Sequence, residues 1–106
     1  MPQNLDKDGL RSKINSYELF FIDIWGVIHD GLQIFEDSIE VLENLKKNNK
    51  EFVLLTNAPR PNSTVIDFLK KMGLKKFYED VYTSGEASLK YLMENFLNAK
   101  FYHIGP

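Results

Sequence analysis

The sequence has no cysteine. That removes disulfide scaffolds, thiol nucleophiles and cysteine-ligated zinc from the candidate chemistries, and it agrees with a cytoplasmic setting. Long apolar runs are missing too. The longest, Leu19 to Ile28, is broken by Asp23 and falls far short of the roughly 20 residues a membrane helix needs. Charge of one sign is not in excess: 13 Lys and Arg against 15 Asp and Glu leave a net charge of −2. Such a balance gives no electrostatic footprint for nucleic acid or for an anionic membrane surface. The amino terminus, Met1 to Lys13, mixes both charge signs and has no apolar core, so no secretory signal is expected. Internal repeats and low-complexity tracts are absent.

What remains is a composition suited to one small globular domain. Of 106 residues, 43% are hydrophobic and 26% charged, enough to build a core and keep it in solution. Residues 1–17 read as an extension, in which Leu5, Leu10 and Ile14 form a weak helical stripe interrupted by Gly9. A short helix lying on the domain is the expectation there, and residues 18–106 form the domain itself.

The domain opens on Leu19 to Ile24, a continuously apolar run of the kind that marks a parallel strand buried on both faces. Short apolar-rich arms then flank Asp30-Gly31, a two-residue hairpin signal, so a β-hairpin flap is expected directly after the first strand. Asp37, with Glu40 three residues on, has capping-box spacing for a helix whose apolar face is Ile39, Val41, Leu42 and Leu45. Glu51 to Thr56 reads as a second buried strand. A Pro-containing turn leads to a second helix starting near Asn62 or Ser63, with Val65, Ile66, Leu69 and Met72 inward and Gly73 as its stop. Asp80 to Thr83 reads as a third strand. Ser84 is expected to cap a third helix with Leu89, Leu92, Met93 and Phe96 inward, and Lys100 to Ile104 reads as a fourth strand. Alternation of this kind predicts an α/β fold, a Rossmann-like parallel sheet with right-handed crossovers.

In open α/β sheets, ligands bind beyond the carboxyl ends of the strands. Asp23, Thr56, and Thr83 or Ser84 fall there. A carboxylate beside a hydroxyl and a turn entering a helix suits phosphate. The carboxylate can attack phosphorus, while the hydroxyl and the turn's N–H groups hold its oxygens. A hard Mg2+ would offset the repulsion between carboxylate and phosphate.

Phe21-Ile22-Asp23-Ile24-Trp25-Gly26-Val27-Ile28-His29-Asp30-Gly31 resembles the first motif of the haloacid dehalogenase (HAD) superfamily, and Leu54-Leu55-Thr56-Asn57-Ala58-Pro59-Arg60 resembles its second. The Thr-Asn pair and the Trp-Gly-Val-Ile-His-Asp-Gly run look most like the class IIA, NagD-like branch. The likeness extends over about residues 17–106. It implies a Mg2+-dependent phosphohydrolase of small phosphorylated metabolites acting through an aspartyl phosphate. By that resemblance Asp23 matches the nucleophile, and the Trp25 backbone carbonyl joins Asp23 as a metal ligand. Thr56 and Asn57 match the phosphate-binding hydroxyl and N–H. Arg60 follows on the substrate-side loop.

Two departures from the family pattern stand out. Trp25 occupies the position usually held by a second Asp, the general acid–base, which leaves His29 and Asp30 as the nearest titratable substitutes. The later Lys and acidic residues of the family, and its large cap domain, have no counterpart in these 106 residues. The sequence therefore reads as the amino-terminal part of a HAD core, incomplete and inactive alone, without the cap and the other half of the core. An alternative follows from Trp25: a non-catalytic relative that binds phosphate or a metabolite. In the family layout the first strand is central, so here it becomes an edge. The isolated piece is expected to be unstable, to aggregate, or to cover that edge by association, a homo-oligomer being one form of it. A dinucleotide-binding domain lacks its G-x-G-x-x-G, and a P-loop lacks its G-x-x-x-x-G-K-[ST]. A receiver domain would place its acceptor on the third strand, behind an acidic pair, and neither feature occurs.

Overall fold

A computed structural model describes residues 4–106. Three parallel strands form the sheet: β1 (Leu19–Asp23), β2 (Glu51–Thr56) and β3 (Val81–Thr83), in the order β1-β2-β3. Three helices alternate with them: α1 (Glu36–Lys47), α2 (Asn62–Met72) and α3 (Ser84–Asn95). This is the expected Rossmann-like α/β arrangement. Because each crossover advances the sheet in the same direction, the right-handed rule puts α1 and α2 on one face. Their apolar stripes meet there: Leu42 and Leu45 of α1 and Leu69 of α2 are buried with Phe52, Leu54 and Val81 of the sheet, and with Ile24 and Ile28 of the segment after β1. Leu74 closes that core just past Gly73, which ends α2 in the left-handed conformation.

Strand β1 departs from the expectation of burial on both faces. Leu19, Phe21 and Asp23 are exposed, whereas Phe20 and Ile22 pack against the core. The cause is that helices α1 and α2 cover one face only. Side chains at alternate positions of β1 and β2, together with Tyr82 of β3, line the other face. Strand β1 is the sheet edge, as expected from the order.

Helix α3 also differs. Leu89, Leu92, Met93 and Phe96 are exposed rather than inward, at 48%, 38%, 56% and 47%. The helix forms, but among the described residues no layer lies against those side chains. Lys100 to Ile104 is irregular and exposed rather than a fourth strand, and it pairs with neither edge of the sheet.

Local signals shifted by a residue or two. Helix α1 begins at Glu36 with Phe35 as its N-cap and no side-chain cap. Asp37 lies inside the first turn, where with Glu36 it suits the helix dipole, so the Asp37–Glu40 capping box is not made. Helix α3 is capped by Thr83 rather than Ser84. Strand β3 starts at Val81, since Tyr78–Asp80 is a 3-10 turn. Ahead of β1 the extension makes two 3-10 turns, Leu10–Ser12 and Ile14–Ser16, and Leu10 and Ile14 pack on the core. Among the described residues, no helix is long and apolar enough to cross a membrane.

Candidate functional site

The segment after β1 turns back on itself as a tight flap. Two isolated bridges, Trp25 with His29 and His29 with Ile34, replace the two regular strands expected of a hairpin. Side chains compete with the ladder for the backbone donors. Asp30 Oδ1 accepts the N–H groups of both Leu32 and Gln33 at 2.9 Å, and His29 Nδ1 accepts the Gly31 N–H at 2.8 Å. Gly31 has φ +94°, and a Cβ there would stand 2.5 Å from the Trp25 indole. Any other residue here would strain the backbone and push the Trp25 ring aside, so glycine suits the turn. Ser38 Oγ donates to the Val27 carbonyl and ties the flap to the start of α1.

His29 is 3% exposed, with its ring edge-on to Trp25 at 5.1 Å and to Phe68 of α2 at 5.6 Å between centroids. Burial lowers its pKa, against a smaller opposing pull from the Asp30 charge. A neutral imidazole whose Nδ1 accepts from Gly31 carries its proton on Nε2. Asp30 is fully exposed, and the Gln33 and then the Leu32 N–H hold its carboxyl below the usual range.

Asp23 ends β1 opposite Leu55, so it stands one residue short of Thr56 on the neighbouring strand. Its Oδ1 accepts the Ile24 N–H at 2.9 Å, leaving the other oxygen for a ligand. Thr56 Oγ1 accepts the Ala58 N–H at 3.3 Å and shapes the loop that follows β2. Asp23, Thr56 and Asn57 come together in one open cleft of about 650 Å3, with Phe21, Leu55 and Tyr82 from the uncovered face and Thr83, Ser84 and Ala87 from the β3–α3 turn. Trp25, His29, Asp30 and Arg60 do not line it. The Trp25 indole lies over Gly31 and against His29 instead. Arg60 is exposed, and its backbone packs against Gly85.

The sequence model of the haloacid dehalogenase-like hydrolases matches residues 20–106. The chain belongs to that family. No curated protein sequence matches it. Among solved structures, a haloacid dehalogenase-like hydrolase from Brucella suis 1330 is 29% identical with a TM-score of 0.70, over 90% of this chain and 35% of that one. A 4-nitrophenylphosphatase from Thermotoga maritima is 31% identical with a TM-score of 0.66, over 78% of this chain and 32% of that one. A third, bearing the nagD name, is 32% identical with a TM-score of 0.64, over 74% of this chain and 32% of that one. These agree with the class IIA, NagD-like reading of the two motifs. The chain spans about a third of the length of each.

Several groups at the site have no counterpart in the motif reading. Asn62, Gly85 and Glu86 join the loop after β2 to the turn after β3. One signal for them was present: Thr83-Ser84-Gly85-Glu86 has capping-box spacing counted from Thr83.

Proposed function

We propose that Asp23 is a phosphoryl acceptor, and that this chain carries the nucleophile side of a Mg2+-dependent phosphohydrolase of small phosphorylated metabolites. The observation that carries this reading is the meeting of Asp23, Thr56 and Asn57 in one cleft at the carboxyl end of the sheet, in a member of a hydrolase family. A 4-nitrophenylphosphatase among the similar structures supports it.

The free carboxylate oxygen of Asp23 attacks phosphorus in line with the ester oxygen. The P–O ester bond breaks, an aspartyl phosphate forms, and the departing alkoxide takes a proton. Water then attacks phosphorus, the bond to Asp23 breaks, and inorganic phosphate leaves with the carboxylate restored. Thr56 Oγ1 and the Asn57 N–H hold the non-bridging oxygens in both steps. The donor set suits a hard cation in kind: a carboxylate and a backbone carbonyl, with no sulfur. Mg2+ is commonly held by one or two carboxylates, with water and substrate phosphate completing its shell. Asp23 in the cleft would hold it, and the resemblance adds the carbonyl of Trp25, a residue outside the cleft lining. The ion would supply charge neutralisation between carboxylate and phosphate. Arg60, on the exposed loop after Asn57, is the candidate for substrate contact outside the cleft.

Proton transfer is the step these residues serve least. The flap candidates His29 and Asp30 do not line the cleft, His29 is packed between two aromatic rings, and both are engaged in holding the flap. No cluster of three metal-ligating side chains occurs among the described residues. Turnover by these 106 residues alone is therefore expected to be low. The same observation favours a second reading, a phosphate- or metabolite-binding protein that keeps Asp23 and Thr56 without the general acid–base.

The test is hydrolysis of 4-nitrophenyl phosphate with and without Mg2+, beside Asp23→Asn. A slow Mg2+-dependent rate that vanishes in Asp23→Asn supports the enzyme. Equal rates in the two proteins sink it. Inorganic phosphate binding that depends on Thr56 but proceeds without turnover favours the binding protein.

A further inference from the structure

Two segments distant in sequence are locked together beside the cleft. The Gly85 N–H donates to the Ala58 carbonyl at 3.1 Å, and Ser84 Oγ donates to the same oxygen at 3.1 Å. Thr83 Oγ1 donates to the Arg60 carbonyl and accepts the Glu86 N–H at 2.9 Å. Asn62 Oδ1 accepts the Thr83 N–H at 2.9 Å, while Glu86 Oε2 accepts the Asn62 N–H at 3.1 Å. An ordinary capping box satisfies a helix's first donors within that helix. Here the exchange is between helices: the Glu86 carboxylate of α3 reaches the first N–H of α2, and Asn62 of α2 reaches back to Thr83, the cap of α3.

The packing is as close as the bonding. A Cβ on Gly85 would lie 2.4 Å from the Arg60 N and 2.5 Å from the Arg60 carbonyl oxygen. Those are backbone atoms, which cannot swing aside as a side-chain tip can. Thr83 is fully buried, so its hydroxyl would carry a desolvation penalty without both partners.

We propose that Thr83, Gly85 and Glu86 are positioning residues that clamp the loop after β2 and hold the Asn57 N–H and Thr56 hydroxyl toward the anion in the cleft. The proposal rests on the phosphate-site reading above and extends it to residues outside the two family motifs. The loop from Asn57 to Pro61 has no regular structure of its own. Its geometry is set by Thr56 Oγ1 at one end and by the turn after β3 along the rest. A donor displaced by an ångström loses most of its value to an anion, so loosening the clamp weakens binding while Asp23, Thr56 and Asn57 all remain in place.

The test combines two readouts on the whole chain. Binding of inorganic phosphate is followed by phosphorus NMR, and amide exchange of residues 57–62 by mass spectrometry. Gly85→Ala and Thr83→Val are expected to weaken phosphate binding on the order of tenfold or more. They should speed exchange in 57–62 while leaving exchange in β1 and the core of α1 unchanged. Thr83→Ser, which keeps the hydroxyl, should restore both. If Gly85→Ala does not fold, Glu86→Ala against Glu86→Gln decides, because Gln keeps an acceptor for the Asn62 N–H. Wild-type affinity and wild-type exchange in these variants would overturn the clamp. A loop that loosens while affinity holds would overturn its role in positioning. If the unaltered chain binds no phosphate, the phosphate-site reading fails instead, and exchange still reports whether the clamp exists.

Discussion

The two faces of the same sheet are built from the same kind of residue and meet different fates. On one face Leu54 is fully buried, and Phe20, Ile22 and Phe52 pack with it beneath α1 and α2. On the other, Phe21 is 69% exposed, and Leu19, Leu55 and Tyr82 stand open beside it. Hydrophobicity along the strands carries no sign of which face has a cover, because both call for one. The difference makes a direct stability prediction. Leu54→Ala or Leu69→Ala should cost about 2–5 kcal/mol, the range for truncating buried leucines. Phe21→Ala should cost within about 0.5 kcal/mol, as for a surface site. Urea unfolding monitored by circular dichroism measures both. Equal losses for Phe21→Ala and Leu54→Ala would break the comparison and show the open face covered in solution.

The next largest effect is on association. The Glu51 N–H donates to the Glu18 carbonyl. Since backbone groups alternate along a strand, Leu19, Phe21 and Asp23 turn their N–H and C=O groups to the free edge of β1. An apolar face continuous with a free edge is a template for a second chain. We expect a second copy of this chain to pair there, with sedimentation velocity showing concentration-dependent dimers. Phe21→Lys, which places a charge on the edge, should shift the protein to monomer with little change in circular dichroism. A wild-type chain that stays monomeric across the concentration range, with a cooperative melt, would defeat this expectation.

The same contrast explains what was legible in the sequence. The order of strands and helices was readable because periodicity and turn residues are local: Gly73 ends α2, and Asn62 begins it. Asp23 and Thr56 were readable as strand-end groups for the same reason. What escaped depends on neighbours. The apolar face of α3 was read as inward because the pattern records a demand for burial, not whether a layer answers it. The flap lost its strands because His29 Nδ1 and Asp30 Oδ1 take donors that a ladder would use, and a Val-Ile-His-Asp-Gly string does not reveal which acceptor wins. The clamp of Asn62 with Thr83 and Glu86 spans more than twenty residues, and the capping-box spacing could indicate Glu86 as a cap but not its actual partner on α2.

A smaller effect tests the flap, where the buried face meets the strand end. His29 has its pKa lowered, first by burial, with Asp30 opposing. The sign follows from proton counting. Near its ordinary value of about 6.5 the unfolded chain binds more protons at this site than the folded one, so stability rises with pH there. Acidification through that value should lower the melting temperature as the unfolded state takes up the proton. His29→Gln, which keeps a polar group but does not titrate, should flatten this slope between about pH 5 and 7. An unchanged slope in the variant would assign it to other groups.

The smallest effect lies on the outer side of the covered layer, where Lys76 Nζ bonds Glu43 of α1. The hydrogen bond to Lys76, then its charge, holds the Glu43 carboxyl below the usual range. A depressed carboxyl stabilises above its unfolded pKa, and that contribution fades as the pH falls through the folded value. Exposure limits its size: water and salt screen such a pair, and two long side chains lose freedom to form it. Lys76→Met should therefore leave unfolding at neutral pH and high salt unchanged within error. Only at low ionic strength should a small loss emerge. A large, salt-independent loss would mean that Lys76 holds the segment after α2 against α1 by packing, through its stem, rather than by charge.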